Sequence, residues 1–167
     1  MPSPPQMVIR TNALPGRRAL RFQTLDDVSR DAGDVASRPG RTLGNWTVAR
    51  ILDHLAISIR AGFDGPEVRA PWYVRMMIAP LIRERMLAKG MPAGFRLPRQ
   101  LAHFMPGTDA TVAGSLQALR EWLGRLEGSC PQFGHPAFGR LSHADWIRLH
   151  LRHAELHLSF VVPEGHQ

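Results

Sequence analysis

Apolar residues recur at helical spacing along most of the chain, and no stretch stands out for the alternation typical of a half-buried strand. The clearest apolar stripe precedes Gly128 and consists of Val112, Leu116, Leu119, Leu123 and Leu126. A stripe of this kind marks the buried side of an amphipathic helix. The pattern therefore predicts an all-α fold.

Capping residues place the ends of four main helices. Thr24-Leu25-Asp26-Asp27 and Ser142-His143-Ala144-Asp145 have the spacing of capping boxes, in which two side chains satisfy free backbone N–H groups at a helix start. The four predicted helices run from the cap Thr24 to about Ser37, from the cap Asn45 to Gly65, from Thr108 or Asp109 to Gly128, and from Ser142 to about Val162.

Residues 71–89 form a further, irregular helical segment that Pro80 interrupts. A turn over residues 90–94 and an extended connection to Pro106-Gly107 follow it. Four main helices with this insertion predict an antiparallel four-helix bundle. We divide the chain into a flexible segment over residues 1–20, a single domain over residues 21–162 and a tail over residues 163–167.

The composition limits the classes of protein to which the chain can belong. A length of 167 residues corresponds to about one domain. A hydrophobic fraction of 44% lies in the globular range, which excludes global disorder. Cys130 is the single cysteine, so the fold has no intramolecular disulfide and no cysteine-rich zinc module. A metal site would need other ligands.

Export and membrane insertion are not predicted. No apolar run follows the Arg17-Arg18 pair, as an export signal would require. The most apolar later stretch, residues 76–82, falls short of the ~20 residues that span a bilayer. We therefore expect a cytoplasmic protein.

The last predicted helix carries three histidines on one side. At about 100° per residue, His157 lies at about 40° and His150 at about 60° from His153, on the same side as the apolar residues. The residues on the opposite side, away from the core, are Arg148, Arg152, Glu155 and Ser159. Three buried imidazoles have six ring nitrogens that need partners, and each unsatisfied polar group costs ~1–3 kcal/mol. A divalent cation is the simplest common partner.

The spacing of these histidines predicts two metal ligands. His153 and His157 are four residues apart, so both imidazoles can reach one ion. His150 lies two turns from His157, so both cannot easily bind one ion. The roles that His150 could have are support of a ligand histidine, competition as a ligand, or acid/base chemistry. A third ligand should come from a facing helix, and His54 at the edge of the second helix's apolar face is the candidate.

The remaining histidines carry no site prediction. Loop or helix-start positions favour solvent exposure for His103, His135 and His143, and His166 lies in the tail. Cys130 has no neighbour that would activate its thiol.

The segment from Asn45-Trp46 to His54-Leu55, followed by His153-Ala154-Glu155-Leu156-His157, resembles the DinB-like (YfiT-like) superfamily of metalloenzymes. The resemblance covers about residues 17–162 and is to an uncharacterised branch. It implies a four-helix bundle in which His54, His153 and His157 bind Zn or Ni. It also implies a possible partner molecule, because some members are transferases that use low-molecular-weight thiols.

The function expected from these features is a metal-dependent thiol transferase or hydrolase acting on a small molecule, with His150 as the proton-transfer group. Three neutral imidazoles leave the metal its charge and an open position, as in catalytic zinc sites. The alternative is a non-enzymatic, stress-related or interaction bundle whose metal is structural. A further alternative is weak contact of the cationic segment from Arg69 to Arg99 with an anionic surface. We expect no specific nucleic-acid binding, and both a monomer and a homodimer are compatible with the sequence.

Overall fold

The computed structural model describes residue 11 and residues 14–65, 79–94 and 104–165. The elements in these ranges are α1 (Leu25–Ser37), β1 (Gly40–Thr42), α2 (Val48–Asp64), α3 (Ala79–Lys89), α4 (Val112–Gly128), α5 (His143–Leu158) and β2 (Val161–Pro163). The described chain is mostly helical, as the periodicity predicts.

α1 has the predicted bounds. The Thr24 hydroxyl accepts from the Asp27 N–H, and the Asp27 carboxylate accepts from the Thr24 N–H, so the predicted capping box is confirmed. The helix buries its apolar stripe, formed by Leu25, Val28, Ala32 and Val35.

Two helices begin later than predicted, each behind a threonine cap. α2 starts after Thr47 rather than Asn45, because Trp46 lies outside the helix and stacks on His157. α4 starts after Thr111 rather than Thr108 or Asp109, since the Thr108 hydroxyl binds the Asp109 carboxylate instead of capping a helix. In both helices the cap hydroxyl accepts a backbone N–H three residues on.

α5 ends earlier than predicted, and a small sheet follows it. The helix stops at Leu158, and β2 pairs antiparallel with β1 so that Gly40 faces Pro163. A Cβ on Gly40 would lie 2.8 Å from the Val162 carbonyl oxygen, so a glycine suits this close approach. Three-residue strands are too short to show alternation, which is why the sequence pattern did not predict them.

Within the described residues, α3 runs from Ala79 to Lys89 and includes Pro80. Residues 71–78 of the predicted segment lie outside the described residues. The helix is held to α5 by the Arg83–Asp145 ion pair, with 2.5 Å between Nη2 and Oδ2.

The core lies between α1, α2, α4 and α5. α2 packs along α4, and α1 contacts both α4 and α5. The most deeply buried large side chains include Trp146, Leu52, Ile59, Leu119, Leu126 and Leu158. This packing fixes α5, the helix that carries three of the histidines, against α1 and α2.

Part of the side of α5 opposite the histidines is also buried, contrary to the expectation from the sequence, although Arg148 on that side is exposed. Arg152 and Glu155 are only 5% and 9% exposed. Glu155 Oε1 accepts from the Phe22 N–H at 2.7 Å, and Arg152 Nη2 donates to the Phe22 carbonyl at 2.6 Å. A helical wheel gives the direction of a side chain but not the chain segment that packs there.

The segment that precedes the domain in the sequence-based division, residues 1–20, is anchored where the structure describes it. The Arg18 N–H donates to the Ser159 carbonyl at 3.0 Å, and Leu14 and Leu20 pack against the core. These contacts join residues 14–20 to the helices. No helix within the described ranges is long and apolar enough to cross a membrane.

Candidate metal centre

Three histidines from two helices converge at one point. His54 on α2 and His153 and His157 on α5 each offer a ring nitrogen, and the three nitrogens lie within 4.8 Å of one another. Two successive turns of α5 supply His153 and His157, as their spacing predicts. The facing helix supplies His54, so the structure brings together all three residues that the sequence singled out as metal ligands.

The separation of two of the ring nitrogens fits a tetrahedral first-row metal. His54 Nε2 and His153 Nε2 are 3.2 Å apart. Two nitrogens bound tetrahedrally at ~2.0–2.1 Å would be separated by about 3.3 Å. The rings meet edge to face, with centroids 4.6 Å apart for His54 and His157 and 4.6 Å apart for His153 and His157.

A backbone carbonyl sets the tautomer of His54. Its Nδ1 lies 2.7 Å from the Phe104 carbonyl oxygen, which can only accept, so Nδ1 carries the proton. Nε2 is therefore free to bind a metal, as is usual when a ligand histidine donates its other N–H. Asp53 Oδ2 holds the same segment by accepting from the Gly107 N–H at 2.9 Å.

Trp46 lies against the cluster. Its ring stacks on His157 with a centroid distance of 5.4 Å and tilts against His54 at 4.9 Å. The sequence singled out Trp46 only as part of a motif. Its contact role and the Asp53 and Phe104 contacts were missed, because they depend on tertiary packing.

All three imidazoles are held in the neutral form that binds metals. Burial lowers the pKa of His54, with an opposing contribution from the Phe104 carbonyl. Burial and then the neighbouring His157 and His54 lower the pKa of His153. Burial, His54 and Arg17 lower the pKa of His157. A cation would displace no proton from these rings near neutral pH.

The cluster contains no carboxylate among the described residues and is partly open. His54 is buried, whereas His153 and His157 are partly exposed. The nearest acidic residues along the helices, Asp53 and Glu155, are bound to backbone N–H groups elsewhere. The residues present therefore fit a divalent cation held by three neutral nitrogens.

Residues 15–164 match the sequence model of a family described as "Protein of unknown function (DUF1569)". The chain belongs to this family. Comparisons with curated proteins and with solved structures found no match.

His150 of this DUF1569 protein lies beside the three-histidine cluster and not within it. Its ring centroid is 6.4 Å from that of His153, and the ring stacks on Trp146 at 5.7 Å with an angle of 9°. Burial lowers the pKa of His150 to about 3, so the ring is neutral near pH 7. His150 Nε2 is buried and has no hydrogen-bond partner among the described residues.

Two histidines expected in solvent are partly buried and have structural contacts. His135 Nδ1 accepts from the N–H groups of Ala137 and Phe138 at 3.1 and 3.2 Å. His143 Nε2 lies 2.6 Å from the Leu126 carbonyl oxygen at the end of α4. The sequence could not show these contacts, because they depend on how the loop over residues 129–141 folds back. His103 and His166 lie outside the described residues.

Proposed function

We propose that this DUF1569 protein binds a divalent metal, Zn or Ni, through His54, His153 and His157. We further propose that it is a metal-dependent thiol transferase or hydrolase of a small molecule. The observation that supports this proposal best is the convergence of three neutral imidazoles whose ring nitrogens lie within 4.8 Å.

The ligand chemistry favours an active rather than a closed site. A divalent cation with three neutral ligands keeps its full charge and an open position, and it would lower the pKa of a bound water or thiol toward neutrality. The partial exposure of the residues His153 and His157 supports access by a small molecule. Trp46 supports the His157 ring by stacking, and the Phe104 carbonyl orients His54.

His150 is the proposed proton-transfer group. Its position next to His153 and its unpartnered Nε2 atom support this role. Since burial favours the neutral ring by lowering the pKa, His150 would hold a proton only briefly before passing it on.

We also propose that the fold is a DinB-like four-helix bundle made of α1, α2, α4 and α5. The packing of α2 and α1 on α4, and of both on α5, supports this assignment. The positions of the histidines on α2 and α5 match those that the resemblance implies.

Metal analysis tests the proposal directly. Protein purified without a histidine tag should hold about one divalent metal per chain after loading and dialysis. His54→Ala, His153→Ala and His157→Ala should each weaken metal affinity at least about 100-fold, since each removes a ligand. His143→Ala removes an imidazole outside the cluster and should change affinity less than about threefold.

Equal losses in His143→Ala and His153→Ala, or no retained metal in the wild type, would overturn the metal site. Reaction rates of small thiols with electrophiles then test catalysis, and they should vanish with chelation and return with metal. Equal rates in the wild type and His157→Ala would mean that the metal is not catalytic. That result would favour the non-enzymatic alternative with a structural metal.

A further inference from the structure

Arg17 places a positive charge beside the candidate metal centre. Its Nε and Nη2 donate to the Ser159 hydroxyl at 3.0 and 2.7 Å, and Nη2 also reaches the Leu156 carbonyl at 3.3 Å. Leu156 and Ser159 bracket His157 along α5. The guanidinium also lies 4.2 Å from the centre of the Phe160 ring.

Neighbouring arginines have carboxylate partners, whereas Arg17 has none among the described residues. The Arg18 guanidinium binds both Asp31 oxygens at 2.7 Å. Arg21 lies 3.8 Å from Glu155, and Arg30 and Arg38 pair with aspartates on α1. All the partners of Arg17 are neutral, so its charge is balanced by no acidic group there.

Arg17 adds a positive charge at the end of α5 that carries His157, without an acidic partner among the described residues. The three imidazoles are neutral, and no carboxylate joins them in the described chain. The charge of Arg17 is felt at His157, whose pKa it lowers. Partial burial of an unpaired charge is costly unless an opposite charge arrives, and a guanidinium matches carboxylate, sulfonate and phosphate groups.

Arg17 also has donor capacity left. Its Nη1 makes no hydrogen bond to the described residues, while Nε and Nη2 fix the plane of the guanidinium through Ser159. The group is therefore oriented in advance and can still bind an anion.

We propose that Arg17 is the anion-binding residue of this centre. The ligand class is a small molecule with one metal-binding atom and a separate anionic group, which pairs with Arg17. This inference rests on the proposed metal site and adds the charge of the substrate to it.

Two thiols of similar size test the inference on Co(II)-loaded protein. Thiolate binding to Co(II) gives a charge-transfer absorption, so the Kd of 3-mercaptopropionate and of neutral 2-mercaptoethanol can be measured at pH 7. The Kd of 2-mercaptoethanol divided by the Kd of 3-mercaptopropionate should fall about tenfold in Arg17→Gln, because the charge-assisted contact with the carboxylate is lost. Arg17→Lys should keep part of the preference, and exposed Arg140→Gln should keep all of it.

A second measurement needs no variant. In the wild type, the preference for the anionic thiol should shrink between low salt and 1 M salt, since ions screen the pair. An unchanged ratio in folded Arg17→Gln, or a ratio independent of salt, would overturn the anion site while leaving the metal site intact. A wild type that binds no Co(II) would overturn the proposed function and this inference with it.

Discussion

The two sides of α5 both bury polar side chains, but they satisfy them differently. On one side Glu155 and Arg152 bind the backbone N–H and carbonyl of Phe22, and the Arg152–Glu155 ion pair spans 3.1 Å. On the other side, His153 and His157 lie against a third histidine, His54.

This difference separates a structural polar cluster from a ligand site. On the Arg152 side, the Glu155 carboxylate and the Phe22 N–H and carbonyl pair with one another or with Arg152 Nη2, so these groups have complementary partners within the chain. On the other side, three imidazoles offer ring nitrogens to one another, and a cation is the partner that binds several lone pairs at once. Arg152 and Glu155 are more deeply buried than His153 and His157, so burial alone does not identify the candidate site.

The largest expected effect comes from removing the Arg152–Glu155 ion pair on the structural side of α5. Glu155→Ala leaves the buried Arg152 cation with the Phe22 carbonyl as its described hydrogen-bond acceptor, because Arg152 Nε and Nη1 have no partner among the described residues. We expect a loss of about 3–5 kcal/mol in the free energy of unfolding, as for other broken buried pairs. Urea unfolding of the metal-free protein measures it.

The matched control is Glu127→Ala, which removes an exposed carboxylate and should change the free energy of unfolding by less than about 0.5 kcal/mol. Metal affinity of folded Glu155→Ala should stay within about threefold of wild type, since the two sides of α5 act separately. If Glu155→Ala were as stable as Glu127→Ala, the distinction drawn between the two sides would be wrong.

The sequence predicted what depends on nearby residues. The Ser142 cap and the His153/His157 spacing are local features, and both gave correct positions on α5. The burial of Arg152 and Glu155 depends on Phe22, which lies more than 100 residues away in the chain. A periodic pattern holds no information about such a partner.

The second prediction concerns His135, a partly buried histidine whose Nδ1 accepts from two backbone N–H groups. Burial lowers its pKa to about 4, whereas an unfolded histidine titrates near 6.5. As the pH falls below 6.5, His135 becomes protonated in the unfolded chain but stays neutral in the folded protein. The stability that is present above pH 6.5 is therefore lost progressively toward pH 4. Between pH 7 and pH 5 this histidine should cost about 1–2 kcal/mol of stability.

Urea unfolding of metal-free wild type and His135→Asn at both pH values isolates this contribution. The asparagine oxygen can accept from the Ala137 and Phe138 N–H groups but does not titrate. The variant should therefore lose about 1–2 kcal/mol less than wild type on acidification. Identical losses would show that His135 is protonated as easily in the folded protein as in the unfolded chain.

The sequence singled out the three histidines that the structure brings together, but not the groups that hold them in place. A helical wheel placed His54 at the edge of an apolar face, and the resemblance assigned its role. The Phe104 carbonyl and the Gly107 N–H come from a connection without periodicity, about 50 residues from α2 in the chain. Only tertiary packing brings that connection to the cluster.

The smallest expected effect concerns the contacts that support the histidine side of α5. It tests whether the candidate site depends on the hydrogen bond between Asp53 and the Gly107 N–H. Asp53→Ala releases the Gly107 N–H, loosens the segment that carries the Phe104 carbonyl, and should weaken metal affinity up to about tenfold. Asp53→Asn keeps an acceptor oxygen and should stay within about threefold of wild type, whereas a role through charge would make both variants equally weak. Competition with a chelator measures the affinities, and exposed Asp64→Ala on the same helix is the control. If Asp53→Ala binds metal as tightly as Asp64→Ala, then His54 is oriented without the Gly107 contact, and the Phe104 hydrogen bond is sufficient by itself.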